Sequence, residues 1–309
     1  MQLIQIGTNG PKVAPIGIGT WAWGDTLFWS YGKDYGESEL KAAYDVSLAA
    51  GLSFIDTAEV YGMGRSESLV GSFGANNTAE TFIATKFFPY PWRILRSSMQ
   101  GAIRGSLKRL GVPAINLYQV HWPIPPRSLS TWLHAMADAL EAGLVKQIGG
   151  SNLGPRHIEM AVKVLESRGL RLASNQFSYS LLARQPESNG LIQLCKDHGI
   201  TVIAYSPLAQ GLLTGKYGPK NPPSDIGRRV INGGNLSKLP PLLAEMQRIA
   251  SAYGDKPVSQ VALNWCVAKG ALAIPGAKNA KQAELNAGAL SWSLSAEDVA
   301  RLDALSSGI

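Results

Sequence analysis

Short apolar runs alternate with helical patterns along the chain. Eight runs are too short for a helix and too continuous for a half-exposed strand, which is typical of buried parallel strands. They read PIGIGTW, LSFID, ETFIATK, INLYQVH, KQIGG, RLASNQ, ITVIAYS and ALAIP. Near the start, LIQI and VAPIG flank the segment TNG, and Asn-Gly is a tight-turn signal. The pattern predicts an initial β-hairpin followed by eight strands.

The segments between the runs predict helices with recognisable ends. Leu40, Tyr44 and Leu48 share one helix face, and Gly51 follows as a stop. The same pattern recurs with Ile103, Leu107 and Leu110 before Gly111, and with Ile158, Val162 and Leu165 between Pro155 and Gly169. After the eighth strand, residues 295–307 predict one more helix, which Ser295 caps.

Eight strand–helix alternations in 309 residues indicate the α/β class and a (β/α)8 TIM barrel rather than an open sheet. No segment has the composition of a linker, so residues 1–309 are predicted to form a single domain. Residues 206–237 are rich in Gly, Pro, Ser and Asn. A loop of that length inside a compact domain is usually functional or mobile. Its basic residues are Lys216, Lys220, Arg228 and Arg229.

Composition narrows the class of ligand. The chain is 45% hydrophobic and carries a net charge of +7, so it can bury a large core and favours an anionic partner. The basic residues form no run of five or more, which favours a small phosphorylated ligand over nucleic acid or a membrane surface. The four histidines lack metal-ligand spacing, so no metal is expected. The chain begins without a signal-peptide pattern, which predicts a cytoplasmic protein.

Polar side chains follow the apolar runs at the same end, strand after strand. The carboxyl ends of barrel strands are where catalysis takes place. Singly, each residue has an ordinary explanation, such as a core Tyr, a surface Lys or a helix-capping Asp. Their joint placement favours a catalytic site. In chain order the residues are Asp56, Tyr61, Lys86, His121, Ser151, Asn152, Asn175, Gln176, Tyr205, Ser206, Gly276 and Lys278.

Three other kinds of site fail on their spacing. No G-x-G-x-x-G follows the first strand, so a Rossmann nucleotide site is not expected. The segment GLLTGKY has three residues between its glycines where a phosphate loop has four, and Tyr217 stands where Ser or Thr is required. The segment GGSNL lacks the last glycine of a nucleophile elbow.

Several segments together resemble the aldo-keto reductase family over nearly the whole chain. They are GIGTWAWGD, DTAEVYG, ATKF, LYQVHWP, IGGSN, NQFSY, IAYSPLAQGLLTGKY and IPGAKNAKQAELNAGAL. The resemblance implies a TIM barrel whose amino-terminal end is closed by a short hairpin. It also implies reduction of aldehydes or ketones to alcohols by NADPH, the reaction of an NADP-dependent alcohol dehydrogenase.

The resemblance implies a catalytic tetrad of Asp56, Tyr61, Lys86 and His121. Hydride transfer to carbon leaves charge on the carbonyl oxygen, which must then receive a proton. A free tyrosine with a pKa of about 10 is a weak acid. The Lys86 ammonium is expected to lower the pKa of Tyr61, and Asp56 to hold Lys86 in place. His121 is expected to orient the carbonyl group.

The resemblance also implies the residues that bind NADPH or NADP⁺. Ser151, Asn152 and Gln176 are expected to hold the carboxamide, and Tyr205 to stack on the nicotinamide. Gln282 stands where many members have Arg, which leaves Lys278 as the main charge for the 2′-phosphate. The remaining expected contacts are Gly19, Thr20, Trp21, Asp56, Ser206, Pro207, Leu208, Gly211, Leu213, Lys216, Ile274, Pro275, Gly276 and Asn286.

Aromatic residues cluster in the segments that should form the mouth of the barrel. Trp23, Trp29, Phe88, Trp92 and Trp122 are predicted to build an apolar substrate pocket, suited to aromatic aldehydes rather than sugars. The chain is expected to act as a monomer on a small carbonyl compound. One alternative is an NADPH-binding regulatory subunit, similar to potassium-channel β subunits, with slow or no turnover. Another is a barrel enzyme without nicotinamide, such as a sugar-phosphate isomerase.

Overall fold

The computed structural model describes residues 2–75, 77–217, 221 and 239–307. The predicted loop over residues 206–237 is therefore described only as far as residue 217 and at residue 221. Its basic residues Lys220, Arg228 and Arg229 lie outside the described residues. No helix in the described ranges is long and apolar enough to cross a membrane.

The chain begins with a hairpin that covers one end of the barrel. Strands β1 (Ile4–Gln5) and β2 (Lys12–Val13) pair antiparallel. The predicted hairpin is confirmed, but residues 6–11 form a wider loop than the tight turn that Asn-Gly suggested. Gly7 N donates to Thr201 Oγ1 at 2.7 Å, and Gln147 Nε2 donates to the carbonyl oxygen of Ile6 at 3.0 Å. The hairpin therefore lies against the amino ends of the neighbouring barrel strands.

Eight parallel strands follow, and each pairs with its neighbour in chain order. They are β3 (Ile18–Gly19), β4 (Phe54–Asp56), β5 (Phe82–Phe87), β6 (Leu117–Val120), β7 (Ile148–Ser151), β8 (Leu172–Ser178), β9 (Thr201–Tyr205) and β10 (Leu272–Ile274). Parallel bridges between Ile16 and Ala273 and between Gly19 and Gly276 join the first strand to the last. A Cβ on Gly19 would lie 2.7 Å from the carbonyl oxygen of Ile274, so this closure requires glycine. The predicted (β/α)8 barrel is confirmed.

Helices surround the barrel and end where the sequence predicted. Gly111 ends α3 with a φ of 68°, a left-handed conformation that favours glycine. Ser295 caps the predicted carboxyl-terminal helix by accepting a hydrogen bond from Asp298 N at 3.1 Å. The described helices are α1 (Glu37–Ala49), α2 (Arg65–Gly74), α3 (Arg96–Leu110), α4 (Leu129–Glu141), α5 (Pro155–Glu166), α6 (Gln185–Ser188), α7 (Leu191–Asp197), α8 (Leu239–Ala252), α9 (Val258–Ala268), α10 (Ala280–Gly288) and α11 (Ala296–Ser306).

Candidate active site

A cavity of about 950 Å³ opens at the carboxyl ends of the strands. Asp56 ends β4, Lys86 lies next to the end of β5, and His121 directly follows β6. Tyr61 comes from a short 3₁₀ turn, Tyr61–Gly64, that connects β4 to α2. Parallel strands bring their carboxyl ends to one edge, so the predicted catalytic side chains meet at the base of this cavity.

Lys86 is the centre of the cluster and is fully buried. Its Nζ donates to Asp56 Oδ1 at 2.6 Å, to the carbonyl oxygen of Thr57 at 2.9 Å and to the hydroxyl oxygen of Tyr61 at 3.3 Å. These contacts use all three ammonium protons. Burial lowers the pKa of Lys86. The charge of Asp56, the electrostatic interaction with Tyr61 and the hydrogen bonds to both residues outweigh the effect of burial, and the pKa of Lys86 is raised above its ordinary value. Lys86 therefore stays charged.

The net pKa shift of Tyr61 is upward, against the effect of Lys86. Burial raises the pKa of Tyr61, the Lys86 ammonium opposes this, and the Asp56 carboxylate adds to it. Lys86 lowers the pKa of Tyr61 as predicted, but the loss of hydration outweighs the ammonium, so the net shift is upward. Tyr61 consequently keeps its proton at neutral pH.

His121 packs between two aromatic rings. Its ring centroid lies 5.8 Å from that of Tyr61 and 5.7 Å from that of Phe88, with both pairs nearly perpendicular. Burial, followed by the nearby charge of Lys86, holds the pKa of His121 well below its ordinary value. A neutral imidazole therefore lies beside the Tyr61 ring.

A chain of buried hydroxyl groups supports the backbone behind the cluster. Ser66 Oγ lies 2.7 Å from Thr20 Oγ1 and 2.9 Å from Thr57 Oγ1. Thr20 Oγ1 also donates to the carbonyl oxygen of Asp56 at 2.8 Å. Because Thr57 supplies a carbonyl oxygen to Lys86, these hydroxyls fix the backbone that holds the lysine.

Amide and hydroxyl groups from β7, β8 and β9 form the next part of the wall. Gln176 Nε2 donates to Asp56 Oδ2 at 2.7 Å, and Tyr205 donates its hydroxyl to Asn152 Oδ1 at 2.9 Å. Asn152 Nδ2 donates to the carbonyl oxygen of His121 at 3.1 Å. Asn152 and Ser206 have φ values of 58° and 51°. Left-handed backbone at non-glycine residues is strained, and such strain often concentrates at functional sites.

The comparisons with known proteins agree with this geometry. The profile described as "Aldo/keto reductase family" matches residues 15–307. The chain belongs to the aldo-keto reductase family. It is an oxidoreductase by that membership, and carbonyl reduction is the general chemistry of the family.

Individual relatives of this aldo-keto reductase differ in their named activities. The chain is 38% identical to a chloroplastic pyridoxal reductase of Arabidopsis thaliana, covering 95% of this chain and 84% of that protein. It is 28% identical to an NADH-specific methylglyoxal reductase of Escherichia coli, covering 96% of each. An aldo/keto reductase of Klebsiella pneumoniae in complex with NADP and acetate superposes with a TM-score of 0.79, at 27% identity, over 99% of this chain and 95% of that chain.

Most residues predicted for the site lie on the cavity wall of this aldo-keto reductase. Those from the amino-terminal half are Gly19, Thr20, Trp21, Trp29, Asp56, Tyr61, His121, Trp122, Ser151 and Asn152. Those from the carboxyl-terminal half are Gln176, Tyr205, Ser206, Pro207, Leu208, Gly211, Lys216, Ile274, Pro275, Gly276, Lys278, Gln282 and Asn286. Thr20 turns its hydroxyl to the backbone rather than to the cavity.

Four residues predicted for ligand contact lie off the wall. Trp23 is fully buried, packs against Tyr44 and Phe73, and donates its indole N–H to Ala277, so it belongs to the core. Leu213 is also fully buried. Trp92 is 72% exposed and stacks on Tyr90. Phe88 contacts His121 without lining the cavity.

Sequence reasoning missed several wall residues. Arg65 donates to the carbonyl oxygen of Gly24 at 3.1 Å, and so links α2 to the loop after β3. Arg65 directly follows the Tyr61–Gly64 turn, and this position in the sequence could have indicated that it lines the cavity. Met63, Gln210 and Tyr217 also line the cavity. Met63 and Gln210 have positive φ values, and the pattern of apolar and polar residues in the sequence does not reveal such a backbone conformation.

Proposed function

We propose that this protein reduces aldehydes and ketones to alcohols with NADPH, and that Tyr61 donates the proton. The observation that carries the proposal is the Tyr61 hydroxyl, which lies 3.3 Å from a buried Lys86 ammonium at the base of a large cavity. All four tetrad residues come from one chain, so a monomer suffices for the chemistry.

The chemistry of the wall fits a dinucleotide. A volume of about 950 Å³ is at the upper end for small-molecule sites. Since Nε2 of Gln176 is directed to Asp56, its Oε1 is the atom left to accept a hydrogen bond from a carboxamide. The half-buried ring of Tyr205 offers a flat face, and Lys278 offers a positive charge at the other end. The NADP complex of the Klebsiella pneumoniae relative supports the same choice of cofactor.

The proposed roles of the side chains follow from their contacts. NADPH, when bound in the cavity, would supply a hydride for the carbonyl carbon. The Tyr61 hydroxyl gives its proton to the carbonyl oxygen, which becomes the alcohol. Lys86 stabilises the resulting tyrosinate, and Asp56 keeps Lys86 in position. Neutral His121 orients the carbonyl group beside Tyr61, and solvent returns a proton to Tyr61.

The substrate is proposed to be an aromatic aldehyde. Trp21, Phe28, Trp29 and Trp122 line the cavity and present flat apolar surface. Pyridoxal is itself an aromatic aldehyde, and a relative bears the name pyridoxal reductase, which supports this substrate class.

The proposal is tested by following NADPH oxidation with nitrobenzaldehyde, pyridoxal, simple ketones and an open-chain sugar. We expect steady turnover of the aromatic aldehydes. A regulatory subunit would bind NADPH with slow or no turnover. A barrel enzyme of another class would not bind NADPH in a calorimetric titration, and that result would overturn the assignment.

A further inference from the structure

The loop between β3 and α1, residues 20–36, forms an aromatic wall of the cavity. The Asp25 carboxylate fixes its turn by accepting hydrogen bonds from the backbone N–H groups of Leu27, Phe28 and Trp29, at 3.0, 2.7 and 3.3 Å. The rings of Trp21 and Trp29 meet edge to face, with centroids 5.3 Å apart. The loop therefore has defined internal contacts.

This loop holds the ammonium group of Lys278, which lies between β10 and α10. Lys278 Nζ donates to the carbonyl oxygen of Trp29 at 3.1 Å. The same atom lies 4.8 Å from the ring centroid of Trp29 and 4.6 Å from that of Tyr35. We call these two rings the Lys278 cage. Tyr35 is 8% exposed and donates its hydroxyl to the carbonyl oxygen of Ala22 at 2.5 Å, so its ring is well anchored.

The neighbouring residues strengthen the connection between the loop and the segment after β10. Trp23 donates its indole N–H to the carbonyl oxygen of Ala277 at 2.9 Å. Gln282 Oε1 accepts a hydrogen bond from Lys278 N at 2.9 Å. Gln282 thus supports the lysine backbone and carries no charge of its own.

We propose that Tyr35 and Trp29 are positioning residues that set the preference for a 2′-phosphorylated cofactor by caging Lys278. The inference rests on the proposed function, in which NADPH occupies the cavity that Lys278 lines. A free lysine side chain loses rotamer freedom when it binds a phosphate. A caged ammonium has already lost that freedom, so its contact with phosphate forms at a smaller entropic cost. The cage therefore favours only ligands that carry the 2′-phosphate.

Two nucleotides that differ only in the 2′-phosphate test this proposal: 2′,5′-ADP and 5′-AMP. Their dissociation constants are measured calorimetrically for the parent protein, Tyr35→Leu and Tyr35→Phe. Tyr35→Leu removes the ring from the cage, whereas Tyr35→Phe keeps the ring and removes only the hydroxyl anchor. Tyr35 does not line the cavity, so neither change removes a direct ligand contact.

We expect Tyr35→Leu to weaken 2′,5′-ADP binding by about two- to thirtyfold, the range of a cation–π contact. Binding of 5′-AMP should stay the same, and Tyr35→Phe should bind both nucleotides like the parent. Equal weakening of both nucleotides by Tyr35→Leu would indicate a general loss of loop structure and would overturn the proposal. Tighter binding of 2′,5′-ADP would also overturn it, because the cage would then compete with the phosphate.

A double-mutant cycle with Lys278→Met assigns the effect to the lysine. In the Lys278→Met background, Tyr35→Leu should no longer change 2′,5′-ADP binding. A change that persists there would refute a role through Lys278. If the parent protein does not distinguish the two nucleotides, the NADPH assignment itself fails. If it distinguishes them and Tyr35→Leu does not alter the ratio, only the cage proposal fails.

Discussion

Asp56 Oδ1 and Lys86 Nζ lie 2.6 Å apart, and their side chains are 3% and 0% exposed. Both charged groups are therefore almost completely shielded from solvent. Removing one member of a buried ion pair leaves an uncompensated charge in a medium of low polarity. The pair therefore fixes the lysine next to Tyr61, and the second Asp56 oxygen is held in turn by Gln176 at 2.7 Å.

Tyr61→Phe should abolish most of the reductase activity and leave cofactor binding intact. The change removes only the hydroxyl that gives the proton, and acid catalysis contributes about 10²- to 10⁴-fold. Single-turnover rates and calorimetric binding of NADP⁺ measure the two effects. Tyr118→Phe is the matched control, since the buried Tyr118 hydroxyl has no hydrogen-bond partner within the described residues and does not line the cavity. A Tyr61→Phe enzyme with most of its activity would refute the assignment.

Lys86→Met should reduce turnover and move the alkaline limb of the pH profile upward. Tyr61 acts in its protonated form, so activity falls as pH rises through the pKa of Tyr61. Lys86 is the group that lowers this pKa, while burial and Asp56 raise it. Without the ammonium, the pKa of Tyr61 should rise further. A profile of kcat/KM against pH for the residual activity checks this, and a downward displacement of the alkaline limb would contradict it.

The barrel was predictable because its physical causes are local. Buried parallel strands need continuous apolar runs, and helix ends need glycine or a capping side chain, as at Gly111 and Ser295. The width of the hairpin loop was not predictable. Ile6 N bonds to the carbonyl oxygen of Pro11 at 3.0 Å, and Gln147 and Thr201 hold the loop from distant strands. Those contacts outweigh the local preference of Asn-Gly.

The sequence predicted those residues of the site whose positions are determined by the ends of the strands. Asp56, Lys86 and His121 lie at or next to the ends of adjacent strands, so the barrel places them together. The direction in which a loop tryptophan points could not be predicted in the same way, because it depends on partners that are distant in the sequence. Trp23 turns into the core, where Ala277 accepts its indole N–H, whereas Trp29 stays on the cavity wall. The contact between Lys278 and Trp29 spans 249 residues, and no short-range pattern signals it.

His121 should make the protein less stable in acid. Its pKa lies well below the ordinary value in the folded state, so the unfolded chain binds more protons as pH falls below about 6.5. The free energy of unfolding should therefore decrease by at most about 1.4 kcal/mol per pH unit from this residue, until His121 is protonated in the folded state too. Urea unfolding at neutral pH and at about pH 5 measures the effect. His121→Gln should show a smaller decrease, and an equal decrease would contradict the prediction.

Arg109→Leu should destabilise the fold behind Tyr61. Arg109 Nε donates to Glu67 Oε2 at 2.6 Å, and the Glu67 side chain is fully buried. In the variant, the hydrogen bond from the Thr85 hydroxyl is the remaining side-chain contact of the Glu67 carboxylate among the described residues. We expect a loss of about 3 kcal/mol, the low end for a broken buried pair, because Arg109 is itself 31% exposed. The same substitution at the exposed Arg301, paired with Glu297, should cost about 0.3–0.5 kcal/mol. Equal losses in chemical denaturation would show that burial of Glu67 is unimportant.

Aromatic aldehydes should be reduced with a higher kcat/KM than open-chain sugars. The aromatic side chains that line the cavity, Trp122 among them, offer few donors and acceptors to replace the water around sugar hydroxyls, whereas a flat ring loses little on leaving water. Trp122→Ala should raise the KM for nitrobenzaldehyde by about tenfold, because burial of a large side-chain contact contributes about 1.5 kcal/mol. Trp92→Ala is the matched control, since Trp92 is 72% exposed and does not line the cavity. Neither change should alter turnover of a short aliphatic aldehyde. If an aldose is the better substrate, or if both tryptophan variants behave alike, the aromatic lining of the cavity does not select the substrate.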